Sequence, residues 1–165
     1  MTETAAPHPT RDCQPCTACC DGWVRMVIDD VEVYPGHPCP HSTGSGCRIY
    51  AERPVDPCRN FECAWHMPGS HLPDWFRPDR ARVMVLAAVR SWRGRPVDVA
   101  VPVGRRIPPR ALNWLKQYAE QHARPLIYLE QDSQQLTREQ RTVAYGPPEF
   151  QQEIGRLLEA GEKLW

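Results

Sequence analysis

The chain has 165 residues, which is enough for one ordinary domain or for a small cysteine-rich module joined to a modest globular one. Its formal net charge is zero, although the first 66 residues carry five arginines against nine acidic residues and the remainder is correspondingly basic. The N-terminus has no apolar signal segment, and no later run approaches the roughly 20 apolar residues of a membrane span. These features argue against a secreted or membrane protein, and we expect a cytoplasmic chain without a membrane partner.

All eight cysteines lie in the first 63 residues of the chain. They are Cys13, Cys16, Cys19, Cys20, Cys39, Cys47, Cys58 and Cys63. Cysteines that served as small core hydrophobes would be scattered through both halves of the chain. Two intervening residues let a pair of thiolates reach one ion at the zinc–sulfur distance of about 2.3 Å, so the first spacings favour a metal site. We predict that all eight thiolates are metal ligands.

The adjacent pair Cys19 and Cys20 limits how the thiols can be shared. Adjacent side chains point in different directions in a helix and in a strand. If this segment were helical, Cys13, Cys16 and Cys20 would share one face and Cys19 would lie about 100° away. The first four thiols therefore need not serve one ion. Four disulfides are the arithmetic alternative, but a Cys19–Cys20 bridge would be strained and the cytoplasm keeps thiols reduced.

A short strand is predicted within residues 22–28, because that stretch is mostly apolar and rich in β-branched side chains. Asp29, Asp30 and Glu32 come next, and we interpret them as a solvated turn because no partner base for catalysis is evident. Residues 35–46 are rich in proline, glycine and serine, which predicts a loop that carries metal ligands.

Three histidines near the cysteines are further candidate ligands. His37 and His41 flank Cys39, and His66 follows Cys63 in a Cys-x2-His spacing that suits zinc. Eight thiols already suffice for two four-coordinate sites. The alternative is therefore that these imidazoles are surface groups or hydrogen-bond donors to the ligands.

Residues 53–67 are predicted to include a helical turn, with the rings of Phe61 and Trp65 packed over the metal. Three arginines interleaved with the last cysteines are well placed to offset the negative charge of the thiolates. They are Arg48, Arg53 and Arg59, and the alternative for each is a solvent-facing arginine with a surface partner.

The cysteine pattern resembles the YkgJ-type cysteine-cluster family, which is named for its CxxCxxCC motif. The likeness covers residues 13–20, 39, 46–50, 53–61 and 63–65. The resemblance implies chelation of zinc or iron, and a flagellin lysine methylase is similar in its cysteine motif. The second half of the chain resembles no family that we can name.

Beyond Pro68 the sequence predicts a β-hairpin. Its strands are residues 82–90 and 97–103, joined by a turn at Arg93 and Gly94. The second strand alternates as a half-buried strand should. Pro102 assigns that strand to a sheet edge, because proline cannot donate to a ladder on that side.

A helix is predicted over residues 109–122, a strand over 126–129 and a final helix from Pro148. Residues 131–143 are polar and predicted to be partly helical. The apolar stripe of the final helix is expected to be buried; it consists of Phe150, Ile154, Leu157 and Leu158.

The predicted fold class is α+β, a small loop-rich cysteine/metal module followed by a β-hairpin, helix, strand, helix layer with the helices on one sheet face. We expect a disordered N-terminus over residues 1–12 and a cysteine-cluster metal-binding module over 13–70. Residues 71–165 form an α+β region packed against that module.

The metal is expected to matter for folding. Ordering each residue costs on the order of 1–2 kcal/mol in backbone entropy, and a small loop-rich core recovers little of it. A structural zinc contributes roughly 10–16 kcal/mol in finger-sized peptides. Removal of the metal should therefore unfold residues 13–66 while the sheet and helices persist.

The sequence leaves the choice between zinc and an iron–sulfur cluster open. The first three cysteines have the spacing of a bacterial ferredoxin, and Cys39-Pro40 supplies the distant fourth ligand. Cys20 departs from that pattern. Thiolates are equally the preferred ligands of structural zinc.

The leading functional hypothesis is a metal-chelating protein that binds zinc or iron through eight thiolates, without an assigned reaction. An iron–sulfur enzyme of methyl-transfer or redox type is an alternative, although no catalytic motif supports it. A third hypothesis is binding of nucleic acid or an acidic partner by a basic ribbon, defined as Arg77 to Arg110, with nine arginines and two acids. The simpler explanation is that these arginines solubilise an exposed hairpin edge.

Overall fold

The computed structural model describes residues 11–131 and 140–165. A small hairpin comprises β1 (Met26–Ile28) and β2 (Val31–Val33). The larger sheet comprises β3 (Val83–Trp92), β4 (Arg95–Pro102), β5 (Leu126–Gln131) and β6 (Gln140–Tyr145). The α-helices are α1 (Pro78–Ala81), α2 (Pro109–Gln121) and α3 (Pro148–Glu159), and short helical turns lie at Tyr50–Glu52, Val55–Arg59 and Asp74–Phe76. The α+β fold class is confirmed.

The strand order of the larger sheet is β3-β4-β5-β6. The β3–β4 and β5–β6 pairs are antiparallel, whereas β4 and β5 are parallel. A parallel pair requires a crossover connection, and α2 supplies it. The predicted turn at Arg93 and Gly94 is present, with positive φ at both residues.

The helices cover both faces of the sheet, so the prediction that they share one face is wrong. Ala111 and Leu115 of α2 pack with Val83 and Val85 of β3 on one face. On the other face, α3 packs against a cluster that includes Met84, Leu86, Val97, Val99, Phe150 and Ile154. Alternation along each strand sends successive side chains to opposite faces, and both faces are apolar here.

The β4 strand is interior and buried on both sides, which corrects two predictions. It lies between β3 and β5, and Asp98, Ala100 and Pro102 are buried along with its valines. The β4–β5 ladder ends at Ala100, two residues before Pro102, so the missing N–H of that proline faces no ladder partner there. Proline is therefore compatible with an interior strand at this position.

Residues 131–143 were predicted to be partly helical, but the described end of this stretch belongs to strand β6. Residues 140–145 pair along β5 in an antiparallel ladder, and the rest of that stretch, 132–139, lies outside the described residues. The final helix is present as predicted, but Leu158 of its expected buried stripe is 40% exposed.

Asp98 is a buried acid in the centre of β4, with 5% of its surface exposed. Its carboxylate accepts hydrogen bonds from Arg124 Nε at 2.5 Å and from Arg124 Nη2 at 2.8 Å. It also accepts a hydrogen bond from the Ala88 N–H at 2.8 Å. Ala88 lies where β3 bulges and has a φ of 50°. The carboxylate thus satisfies a backbone donor that the bulge removes from the ladder.

The cysteine-bearing segment packs directly on the sheet. Ala18 and Val24 belong to the same apolar cluster as α3 and the sheet face beneath it. The Ala64 N–H donates to the Val85 carbonyl of edge strand β3 at 2.7 Å. Of the predicted disordered N-terminus, only Arg11 and Asp12 are described, and Arg11 donates to the Trp65 and Leu72 carbonyls at 2.7 Å each.

None of the helices in residues 11–131 and 140–165 is long and apolar enough to cross a bilayer. The α2 helix, for example, has 13 residues.

Gly22 allows the first cysteine turns to approach β2 closely. Its φ is +84°, and a Cβ built on it would lie 2.3 Å from the Tyr34 carbonyl carbon. Gly36 has a similar φ of +90° but nothing within 4 Å of its Cβ position. The two glycines therefore share a backbone conformation and differ in the space around them.

We predict that Gly22→Ala destabilises the protein more than Gly36→Ala. A left-handed φ costs an alanine about 1–2 kcal/mol at either site. At Gly22 the backbone of Tyr34 must also move, which should add at least about 2 kcal/mol. Urea unfolding of the two variants measures the difference, and equal losses of stability would contradict the close approach.

Candidate metal centre

The first cysteine segment folds as consecutive tight turns. The Cys16 N–H donates to the Cys13 carbonyl at 2.9 Å, and the Gly22 N–H donates to the Cys19 carbonyl at 3.1 Å. No α-helix covers residues 13–22. The helical grouping of Cys13, Cys16 and Cys20 is therefore not the one that the backbone produces.

All eight cysteines, which are free thiols, line a single cavity of about 100 Å³. A cavity needs roughly 10–15 Å³ by this measure to hold one water molecule, so there is room for more than one ion. The thiols reach the cavity from four parts of the chain: the first turns, the loop at 35–47, the turn at Val55–Arg59 and the segment before Ala64. Met84 of β3 closes the cavity on the side of the sheet.

Four of the thiols form an inner group beside the sheet, which consists of Cys13, Cys16, Cys19 and Cys63. Cys16, Cys19 and Cys63 pack against the apolar cluster that contains Met84 and Leu86. Each is close enough to the others for their charges to interact, since Cys16, Cys19 and Cys63 all raise the pKa of Cys13.

The other four form an outer group beside the small hairpin, which consists of Cys20, Cys39, Cys47 and Cys58. Cys39 is buried with Ile28 and Val33, and Cys20 and Cys58 pack against them. The Cys39 N–H donates to the Cys20 carbonyl at 2.7 Å. Burial is the main cause that raises the pKa of Cys58, and Cys39, Cys19 and Cys47 raise it further, so Cys19 of the inner group also lies close to this outer group.

Burial makes the inner thiols harder to ionise. It raises the pKa of Cys13 to about 12 and that of Cys63 to about 11, and neighbouring thiolates add to the effect. The pKa of Cys19 is raised well above its usual value, first by a hydrogen bond with the Cys20 thiol and then by burial. Thiolates at these positions therefore need a compensating positive charge.

Arg53 supplies part of that charge. It lowers the pKa of both Cys13 and Cys58, so it acts on both groups of thiols. Its guanidinium lies 4.1 Å from the centre of the Tyr50 ring and donates to the Tyr50 carbonyl at 2.7 Å. Arg59 also lines the cavity, whereas Arg48 is exposed and does not.

Two of the three candidate histidines line the cavity. They are His41 and His66, whereas His37 is exposed and stacks on Tyr34 at 5.1 Å. His41 Nε2 lies 2.6 Å from Asp29 Oδ2, and the His41 backbone N–H donates to Cys39 Sγ at 3.4 Å.

His66 is paired similarly, with Nδ1 3.4 Å from Glu62 Oε1. A carboxylate bound to one imidazole nitrogen fixes the ring and its tautomer, which is a common arrangement around metal sites.

Asp29 makes a long-range contact that its neighbours in the sequence do not indicate. As predicted, Asp29 and Asp30 form an exposed turn, between β1 and β2, with positive φ at both residues. Asp29 nevertheless also holds His41, twelve residues away. No sequence pattern marks a contact over that separation.

Of the two aromatic residues predicted to cover the metal, only one lies at the cavity. Phe61 lines the cavity. Trp65 is not among the lining residues; it is buried with Leu72 and Phe76 and donates through Nε1 to the Asp74 carbonyl at 3.2 Å. The prediction for Trp65 is wrong because its side chain points to the α2 face of the sheet.

The thiols share a cavity without converging on one point. Within residues 11–131 and 140–165, no group of three or more His, Cys, Asp or Glu side chains is arranged to hold a metal ion. A cysteine sulfur moves by rotation about one bond, χ1, so a bound cation would require rotamer changes rather than refolding. The donor set fits a thiophilic cation, since sulfur is the preferred ligand of zinc and of iron–sulfur clusters.

The basic ribbon is divided between the two ends of the β3–β4 hairpin. Arg93 and Arg95 are exposed at the turn, and Arg93 lies 4.7 Å from the Trp92 ring centre. Arg82 and Arg105 are exposed at the other end, where the Val103 N–H donates to the Arg82 carbonyl. A ten-residue strand separates the ends by about 30 Å. Nucleic-acid binding by this ribbon stays a prediction.

We predict that the metal-free protein loses stability as the pH rises above about 9. Cys13 and Cys63 have a raised pKa when folded and an ordinary value of 9.0 when unfolded. Between these values the folded state binds more protons than the unfolded chain, so raising the pH favours unfolding. Urea unfolding at increasing pH measures the slope.

The matched control is the double variant Cys13→Ala and Cys63→Ala, which removes both groups and should have a shallower slope. Equal slopes for the variant and the natural chain would show that these thiols are not preferentially protonated in the folded state.

Comparison of the chain with family models, curated proteins and solved structures finds no match. The likeness of its cysteine pattern to the YkgJ-type family therefore stays a prediction.

Proposed function

We propose that this chain is a metal-chelating protein that binds zinc or iron through the thiolates of its eight cysteines, with an iron–sulfur centre as one form of the bound iron. The observation that carries the proposal is that all eight thiols line one cavity. Residues far apart in sequence are brought to one place, which is difficult to explain by packing alone. Eight unrelated core cysteines would be distributed over both sheet faces.

The electrostatics of the cavity support a cation. Burial and the neighbouring thiols raise the pKa of Cys13 and Cys63, which disfavours thiolates there. Arg53 compensates only in part, because one guanidinium faces two groups of sulfur atoms. A divalent or trivalent ion would stabilise the thiolates directly, and its binding would release protons.

The residues around the sulfur atoms support the same function. His41 and His66 are held by Asp29 and Glu62 at the cavity wall, where they would donate hydrogen bonds or complete a coordination sphere. Phe61 and Met84 line the cavity on the side of the sheet. An apolar wall beside the sulfur atoms favours retention of the metal over exchange with water ligands.

The test is anaerobic purification of the full chain followed by measurement of zinc, iron and acid-labile sulfide. We expect metal bound through sulfur, visible as thiolate-to-metal charge-transfer absorption after cobalt(II) substitution or as broad brown absorption for an iron–sulfur cluster. Iron with an equal amount of sulfide would also favour the redox or methyl-transfer enzyme over a purely chelating protein.

We predict that the double variant Cys16→Ser and Cys47→Ser loses most of the bound metal, because it removes one ligand from each thiol group. His37→Ala is the matched control, since His37 is exposed outside the cavity, and it should retain the full metal content. Elemental analysis of the purified proteins measures both. Metal absent from the natural chain, or retained in full by the cysteine double variant, would refute the proposal.

A further inference from the structure

We propose that the eight thiols make two four-thiolate sites of unequal lability: an inner site that keeps its metal as part of the fold and an outer site that exchanges it. The inner site is Cys13, Cys16, Cys19 and Cys63; the outer site is Cys20, Cys39, Cys47 and Cys58. This inference rests on the proposed function and adds the number of sites and their separate roles.

The division begins at the adjacent pair Cys19 and Cys20. Cys19 packs against the apolar cluster of the sheet, whereas Cys20 packs against the separate cluster around Cys39. The Cys39 N–H donates to the Cys20 carbonyl, which fixes the loop at 35–47 on the outer side. One dipeptide thus contributes a ligand to each site, and the two sites share a wall.

The inner site is supported by the four-stranded sheet. Cys16, Cys19 and Cys63 contact the cluster that includes Met84, Leu86 and the buried valines of β4. The next residue after Cys63, Ala64, donates its N–H to Val85 of the four-stranded sheet. Exposure of the inner sulfur atoms would require separation of the module from the sheet, and such an opening approaches the cost of global unfolding.

The outer site is supported by much less structure. Its scaffold is the β1–β2 hairpin of three-residue strands, the loop at 35–47 and the turn at Val55–Arg59. A two-stranded hairpin is marginally stable on its own. The loop is held by turn hydrogen bonds such as that from the Thr43 N–H to the Gly46 carbonyl at 2.9 Å. Local opening of this region exposes the outer thiols and leaves the sheet intact.

Access from solvent is consistent with this difference. Val27 of β1 and Val55 beside Cys58 are 57% and 60% exposed, so the outer elements are covered by little else in the described chain. His41, held by the exposed Asp29, stands at the same side of the cavity. Cys39 of the outer site is itself buried, so a competing thiol or chelator would reach the outer sulfur atoms first through local opening of the hairpin and loop.

The experiment loads metal-free full-length protein with zinc(II) under anaerobic conditions and follows its removal by a chromogenic chelator. We expect two zinc ions per chain in native mass spectrometry and two release phases of equal amplitude. The rates should differ by at least about tenfold, which corresponds to about 1.4 kcal/mol in activation free energy. Far-ultraviolet circular dichroism should stay unchanged during the fast phase and change during the slow one.

Single variants assign each phase to its site. Cys47→Ser and Cys58→Ser should retain one zinc ion and lose the fast phase, because both residues belong to the outer site. Ser45→Ala, in the same loop and exposed, is the matched control and should retain both phases. The corresponding inner variant, Cys63→Ser, should lose the slowly released ion or fail to fold, and the assignment does not depend on it.

Failure of this inference is distinguishable from failure of the proposed function. One zinc ion per chain, a single release phase, or loss of both ions in Cys47→Ser would overturn the division into two sites while zinc binding stands. Absence of zinc binding in the natural chain would remove the proposed function, and with it this inference.

Discussion

Eight sulfur atoms crowded around one cavity are the constraint on which the rest of this molecule depends. Burial raises the pKa of Cys13, Cys58 and Cys63, and neighbouring thiols raise it further, so thiolates at these positions are costly without a compensating charge. Under the proposed function, a bound cation would supply the missing charge and would couple metal binding to the fold of the first 66 residues.

The larger sheet gives this cavity a rigid floor. Both faces of β4 are buried, and the two helices cover opposite faces, so the sheet has apolar contacts with a helix on each face. The cysteine segment is attached to it at an edge strand, through the Ala64 to Val85 hydrogen bond and the packing of Ala18. Covering the edge of β3 in this way also protects it from pairing with other chains.

The small hairpin and its loops support the cavity in a different way from the larger sheet. They carry four of the thiols on a scaffold that has little apolar contact of its own, and Gly22 lets the first turns lie directly against Tyr34. One group of sulfur atoms is thus supported by the larger sheet and the other by the small hairpin and its loops. In the proposed two-site arrangement, this difference would let one metal be retained and the other exchange.

Much of the local structure followed from the sequence. The spacing of apolar residues located α2, α3 and the strands of the β3–β4 hairpin, and the composition of residues 35–46 predicted an irregular loop. The turn at Arg93 and Gly94 was predictable because glycine accepts the positive φ that a tight hairpin turn requires. The cysteine spacing indicated sulfur chemistry, since few other roles place so many thiols in so short a stretch.

What the sequence by itself determined was therefore the inventory of donors and the identity of most elements. Only the tertiary structure decided that β4 is interior, that β6 exists, that Trp65 faces α2, and that Cys19 and Cys20 belong to different groups. The reason is physical: periodicity shows which face of an element is apolar but not which partner covers it. Contacts such as that between Asp29 and His41 are set by how distant segments pack, which no local pattern encodes.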